Sequence, residues 1–326
     1  MRRLLTTFWP CLVATVLLGT GQLRADDKTS VIVVVGAAGE EEYGKDFAEW
    51  AQLWIKASEK GGANHVAIGL EPTNAVTDLD QLKQVLDAEP KESNNELWLV
   101  LLGHGTFDGK EAKFNLRGPD FSTSELVSWL KPFKRPLAVI DCSSASAPFL
   151  TKLSAPGRVV ITATRSGNEE NFAHFGKYLS AAIADPEADL DKDGQTSLLE
   201  AFLVASRRLT EFYESEGRLA TEHPLLDDNG DGLGTPPDWF RGIRAVKRAK
   251  EGAQLDGVRA HQFTLVRSEQ EQKLPPALRA RRDELEVQVA KLRDQKGKMN
   301  EGDYYKQMET LLIELAKLSA QSSSSP

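Results

Sequence analysis

Four short stretches of this chain are apolar at almost every position, and segments of helical periodicity separate them. Val31-Ile-Val-Val-Val-Gly36, Glu96-Leu-Trp-Leu-Val-Leu-Leu102, Pro136-Leu-Ala-Val-Ile-Asp141 and Arg158-Val-Val-Ile-Thr-Ala163 lack the polar alternation of a strand with one wet face. They read as strands covered on both sides. His65 to Leu70 adds a fifth candidate strand. Between strands, Asp46 to Ala57 sets Phe47, Trp50, Leu53 and Trp54 on one helical face, and helices are expected around Leu79 to Leu86 and from Thr123 to Leu130. Such alternation predicts an α/β fold, a three-layer α/β/α sandwich with a mainly parallel sheet, over residues 29–250. A dinucleotide site is not expected at the first turn. Gly36-Ala-Ala-Gly39 is not the three-glycine fingerprint, and Glu40, Glu41 and Glu42 would repel a pyrophosphate.

Residues 1–25 read as a signal peptide: Arg2 and Arg3 precede an apolar run that includes Phe8, Leu12, Val13, Val16, Leu17 and Leu18, and Leu23-Arg24-Ala25 is a candidate cleavage site. Leu23 fits such a site poorly, so a retained membrane anchor is the alternative. Either way the body is expected to be exported, periplasmic or secreted. No later apolar run reaches the roughly 20 residues needed to span a bilayer. The net charge of -8 and the scattered basic residues argue against a nucleic-acid surface. The chain has two cysteines, Cys11 in the leader and Cys142 in the body, so the mature protein can form no internal disulfide.

Cys142 directly follows one buried strand, and the strand ending at Leu102 runs into Gly103-His104-Gly105. In a parallel sheet, functional groups gather at the carboxyl ends of the strands, so this placement suits a cysteine nucleophile and a histidine base. A free thiol titrates at about 8.5, and a neighbouring imidazole would take its proton and return it to the leaving amine. The flanking glycines are expected to leave the His104 ring uncovered, and the backbone N–H groups of Gly105 and Cys142 are candidate oxyanion donors. The alternative is a buried, inert cysteine and a histidine that serves its own glycine turn.

At these residues the chain resembles the caspase-like cysteine peptidases, the clan of caspases, legumains and gingipains. Leu99-Val-Leu-Leu-Gly-His104-Gly105 and Leu137-Ala-Val-Ile-Asp141-Cys142 match the strand ending in His-Gly and the strand ending in the nucleophile, and Cys142-Ser-Ser144-Ala145-Ser146 is similar to the legumain run of Cys followed by Ser-Gly-Ser. The resemblance covers about Val31 to Phe202. It implies endopeptidase action on a peptide or protein substrate through a thioester, with Cys142 as nucleophile, His104 as base and acid, and Gly105 as oxyanion donor. Arg165 is a candidate partner for an acidic P1 side chain, and Asp141, Glu169 or Glu170 for a basic or amide one. Two departures stand against this. Ala145 replaces the legumain glycine, and Asp141 adjoins the nucleophile, where a carboxylate facing the thiol would raise its pKa. The chain is also similar to a group of exported bacterial proteins sharing the LLGHGTFDG, SAS, SLLEAF and DDNGDG runs, in which the nucleophile is not always cysteine. A catalytically inactive caspase-like binding or scaffold module of the cell envelope is therefore the competing expectation.

Beyond the sheet, Asp189, Asp191, Asp193, Gln195, Ser197 and Glu200, with Gly194 at the sixth position, reproduce the spacing of a calcium loop. A structural calcium ion is the expected cofactor, and the alternative is an acidic loop that caps the following helix. Asp227-Asp228-Asn229-Gly230-Asp231-Gly232 looks like a partial copy without a closing Glu, or simply a tight turn. Residues 251–273 read as a linker or extension. A helical hairpin is expected over 274–320, with Leu278, Leu285, Val289 and Leu292 on one arm and Tyr304, Met308, Leu311, Leu315 and Leu318 on the other, as a candidate surface for a protein partner.

Overall fold

The computed structural model describes residues 28–72 and 76–323. The expected leader and Cys11 lie outside the described residues. Along the chain run β1 (Ser30–Val35), α1 (Glu41–Lys60), β2 (Asn64–Ile68), α2 (Asp78–Ala88), β3 (Leu97–Leu102), β4 (Gly105–Phe107), β5 (Ala112–Phe114), β6 (Phe121–Ser122) and α3 (Thr123–Leu130). There follow β7 (Leu137–Asp141), α4 (Ala147–Leu153), β8 (Arg158–Thr162), α5 (Phe175–Ala182), α6 (Leu198–Ser215), β9 (Leu225–Asp227), β10 (Phe240–Arg241) and β11 (Arg244–Ala245). The carboxyl-terminal part holds α7 (Val258–Gln262), α8 (Glu269–Lys273), α9 (Pro276–Gln295) and α10 (Glu301–Ser323).

The main sheet has the order β2-β1-β3-β7-β8-β9 and is parallel except for β9, which pairs antiparallel with β8. Val31, Val33, Val35, Trp98, Val100 and Ile140 face one core with α1, α5 and α6. Ile32, Val34, Leu99, Leu101 and Val139 face the other with α2, α3 and α4. This is the three-layer α/β/α sandwich that the apolar runs predict: a residue's parity in its strand decides which core it enters. Each fully buried Leu, Ile or Phe in these cores contributes about 1.5–3 kcal/mol from removal of apolar surface from water. Helices α3 and α6 start where capping boxes satisfy their first N–H groups, Ser122 with Glu125 and Ser197 with Glu200.

Several features lay outside the sequence expectations. A small antiparallel sheet, β4-β5-β6, grows directly out of the end of β3, and α4 fills the turn after Cys142. His174 occupies the N-cap position of α5. Residues 251–273, expected as a linker or extension, insert Ala260, Phe263 and Leu265 into the sandwich core, and Phe263 meets Trp98 edge to face at 5.4 Å. The two arms of the hairpin pack on each other through Val289, Leu292, Tyr304 and Met308, and α9 also packs on α7. Among the described residues, no helix is long and apolar enough to cross a membrane.

Candidate functional site

Parallel pairing of β3 with β7 ends at Leu101 and Asp141, and the Cys142 N–H continues the ladder to the Leu101 carbonyl at 2.9 Å. Cys142 shares its core with Ala138 and Ile140. His104 meets the rings of Tyr43 and Phe47 on α1 at 5.3 and 5.2 Å. Both side chains therefore lie on the α1 side of the sheet, at the carboxyl ends of adjacent strands.

The surroundings of the two side chains differ from those expected. Cys142 is 0% exposed. A Cβ added to Gly176 of α5 would lie 3.0 Å from the Cys142 Cβ and 2.9 Å from the Trp50 ring, so α5 packs closely against both residues. Burial pushes the thiol well above its ordinary range, and the carboxylates of Asp141 and Glu222 push it further. The His104 ring is half-buried rather than uncovered, ringed by Tyr43, Phe47 and Phe172. Its Nε2 lies 3.1 Å from the Ala38 carbonyl oxygen, which accepts but cannot donate, so Nε2 carries the proton. Among the described residues, no hydrogen bond joins His104 to Cys142.

The candidate oxyanion donors are also engaged. The Cys142 N–H is held by the sheet, and the Gly105 N–H donates to Ser144 Oγ at 3.2 Å, while that hydroxyl donates to the Gly105 carbonyl at 3.1 Å. A Cβ on Gly105 would fall 2.3 Å from the Ser144 carbonyl oxygen, so glycine is needed here for close approach of two backbones. Ala145, in place of the legumain glycine, adopts φ +53°, a left-handed conformation that costs an L-residue about 1–2 kcal/mol. Its N–H donates to the Glu169 carbonyl at 2.8 Å, which fixes the strained turn.

Asp141 points to the face opposite Cys142 and takes the Ser143 N–H and hydroxyl on Oδ1 at 3.0 and 2.6 Å. Its buried Oδ2 has no hydrogen-bond partner, and burial lifts this carboxyl to about 6. It is sealed in the core and not placed to meet a substrate. Arg165 and Glu169 pair with each other at 3.3 Å, and Glu169 Oε1 also meets His223 Nδ1 at 2.7 Å. Arg165 is thus engaged by a neighbouring carboxylate, whereas Glu170 is exposed. Sequence reading missed Glu222. It is 2% exposed and accepts the N–H groups of His174 and Phe175 and the Tyr213 hydroxyl, and burial lifts it to about 7. No local pattern marks it, because its partners lie up to 48 residues away.

In the acidic loop, carboxylate oxygens of Asp189, Asp191 and Asp193 lie within 4.8 Å of one another. Gly194 has φ +90°, the turn that the sixth position of a calcium loop requires. Glu200 reaches back to accept the Leu190 and Asp191 N–H groups at 2.7 and 3.2 Å and caps α6 through Ser197. The Gln195 amide bridges, its Nε2 donating to Asp193 Oδ2 at 3.1 Å and its Oε1 taking the Ser268 N–H at 3.2 Å. His261 of α7 also approaches, 3.0 Å from Asp191. The second acidic turn is organised by a residue far along the chain: Asp256 accepts the Asp228 and Asn229 N–H groups and the Thr235 hydroxyl. Burial, with the neighbouring Asp228 charge, raises Asp256 to about 8.

No protein-family model matches the chain, and no curated protein matches it. Among solved structures, it is similar to the crystal structure of the Drosophila initiator caspase Dronc, with 14% identity, a TM-score of 0.40, and coverage of 66% of this chain and 85% of that one. It is also similar to the crystal structure of caspase-1 from Spodoptera frugiperda, with 8% identity, a TM-score of 0.38, and coverage of 62% and 86%.

Proposed function

We propose that this chain is a catalytically silent α/β/α module of the caspase-like kind, exported from the cell, which binds a protein partner instead of cleaving a peptide bond. The observation that carries this reading is the burial of Cys142. A thiol that is 0% exposed under Gly176 and Trp50, with two carboxylates raising its pKa, is neither reachable nor ionised at neutral pH. Ser144 and Gly105 beside it support the same reading, since their donors are spent on each other. A second reading, a latent cysteine endopeptidase, is favoured by one observation: His104 and Cys142 leave adjacent parallel strands toward the same face. That enzyme would need α5 to withdraw from the thiol.

The test is labelling of Cys142 by a small alkylating reagent from pH 5 to 9, native and in denaturant, with His104→Ala as control. Silence predicts labelling only in denaturant, at a rate indifferent to His104. Fast native labelling below pH 8 that His104→Ala abolishes would establish the peptidase instead. We further propose that the Asp189–Glu200 loop takes a structural calcium ion; the donor spacing and the three clustered carboxylates support this.

A further inference from the structure

One cleft in the structure is remote from His104 and Cys142. It has a volume of about 550 Å³ and lies between the hairpin and the segment that carries β11 and α7. Helix α10 rests mainly on α9, so α9 forms the floor, α10 one wall and the β10-β11 corner the other. Ile243, Leu255, Val287, Ala290, Leu312 and Leu315 make the lining largely apolar. Leu312, 47% exposed, is an unusually bare leucine at its rim.

The lining has as many carboxylates as Lys and Arg side chains, but the carboxylates are buried or half-buried whereas most of the cations are exposed. Its acids are already engaged: Asp228 accepts the Gly257 and Ala260 N–H groups, Asp256 holds the neighbouring turn, Glu286 meets Gln262, and Asp294 meets Arg248 at 3.5 Å. Of its cations, Arg259 pairs with Glu284 at 3.8 Å. Arg244, Lys291 and Arg293 line the same cleft, are exposed, and have no ion-pair partner among the described residues. The result is an apolar trough flanked by three exposed cations that make no ion pair among the described residues, within a chain whose net charge is -8.

We infer that this groove docks an amphipathic helix of a partner protein, with an apolar stripe facing α9 and α10 and acidic residues on its flanks. Two antiparallel helices present ridges and grooves that a third helix fills with residues spaced three and four apart. The cleft residues Glu286 to Asp294 of α9 span roughly 12 Å at about 1.5 Å per residue, enough to seat about two turns. Arg244, Lys291 and Arg293 select the sign of the occupant's flanks, because like charges facing them would be repelled.

The groove supplies a surface for the silent module proposed above, and the two readings fail separately. A reactive Cys142 would end the silent reading without touching the groove, and an empty groove would leave Cys142 inert. The test uses the full chain and two stapled 18-residue model helices with the same leucine stripe, one flanked by Glu and one by Lys, followed by fluorescence anisotropy. The Glu-flanked helix is expected to bind, more weakly at high salt. Leu312→Asp and the double variant Lys291→Glu/Arg293→Glu should each weaken it on the order of tenfold. The double variant should also reverse the preference toward the Lys-flanked helix, which loss of fold would not do. All three positions are exposed, so thermal melts should match the parent. Equal binding of both helices, binding of neither, or a dimer of the chain that closes the groove and is dissolved by Leu312→Asp would overturn the inference.

Discussion

Replacing Glu222 by Gln should flatten the dependence of stability on pH by a predictable amount. In the folded protein burial raises this carboxyl from its ordinary 4.5 to about 7, against the opposing pull of the His174 and Phe175 N–H groups and the Tyr213 hydroxyl. Between those two values the folded chain holds a proton that the unfolded chain releases. The stabilisation is therefore complete below about pH 4.5 and is lost as pH rises through about 7. At about 1.4 kcal/mol for each tenfold difference in proton affinity, the whole interval corresponds to an upper bound of ~3 kcal/mol. The glutamine amide of the variant does not titrate. Urea unfolding at pH 5 and pH 8 should show the parent losing roughly 2–3 kcal/mol more than Glu222→Gln across the interval. Asp141 and Asp256 are raised in the same direction, to about 6 and about 8, so both proteins should lose stability as pH rises, and only the difference reports Glu222. Equal losses in the two proteins would refute the assignment of a raised pKa to this carboxyl.

Three further outcomes are expected. Gly176→Ala places a methyl 2.9 Å from Trp50 and 3.0 Å from Cys142, so overpacking of roughly 1–3 kcal/mol should outweigh the gain in helix propensity, lower the melting temperature and speed alkylation of Cys142; an unchanged melt would show that α5 does not seal the thiol. Ala145→Gly relieves φ +53° and should stabilise by about 0.5–1 kcal/mol once the greater freedom of unfolded glycine is subtracted, whereas a lower melting temperature would mean that the Ala145 methyl matters more than its backbone. Calcium at about 1 mM should raise the melting temperature of the parent and not of a variant carrying Asp189→Asn and Asp193→Asn; equal behaviour of the two in scanning calorimetry would leave the loop as a helix cap alone.

Local pattern was enough for the framework. Unbroken apolar runs announced β1, β3, β7 and β8 because a strand covered on both faces has no wet side to record, and the spacing of Phe47, Trp50 and Trp54 announced α1. The positions of His104 and Cys142 at adjacent strand ends, the loop geometry at Gly194 and the two arms of the hairpin were legible for the same reason: each depends on residues close together in the chain. What the thiol can do was not legible. Its state depends on Gly176 and Trp50, brought over it by α5 and α1, and on Glu222, delivered by the segment after α6. The Glu169–His223 pair, the anchoring of the second acidic turn by Asp256 and the cleft over α9 likewise join segments far apart in sequence. Periodicity reports which side of an element is apolar, whereas burial, proton affinity and charge compensation are set by what is packed against that side. The sequence by itself determined where a cysteine and a histidine would stand; only the tertiary structure decided that the cysteine is closed off and that the open, charged surface lies elsewhere.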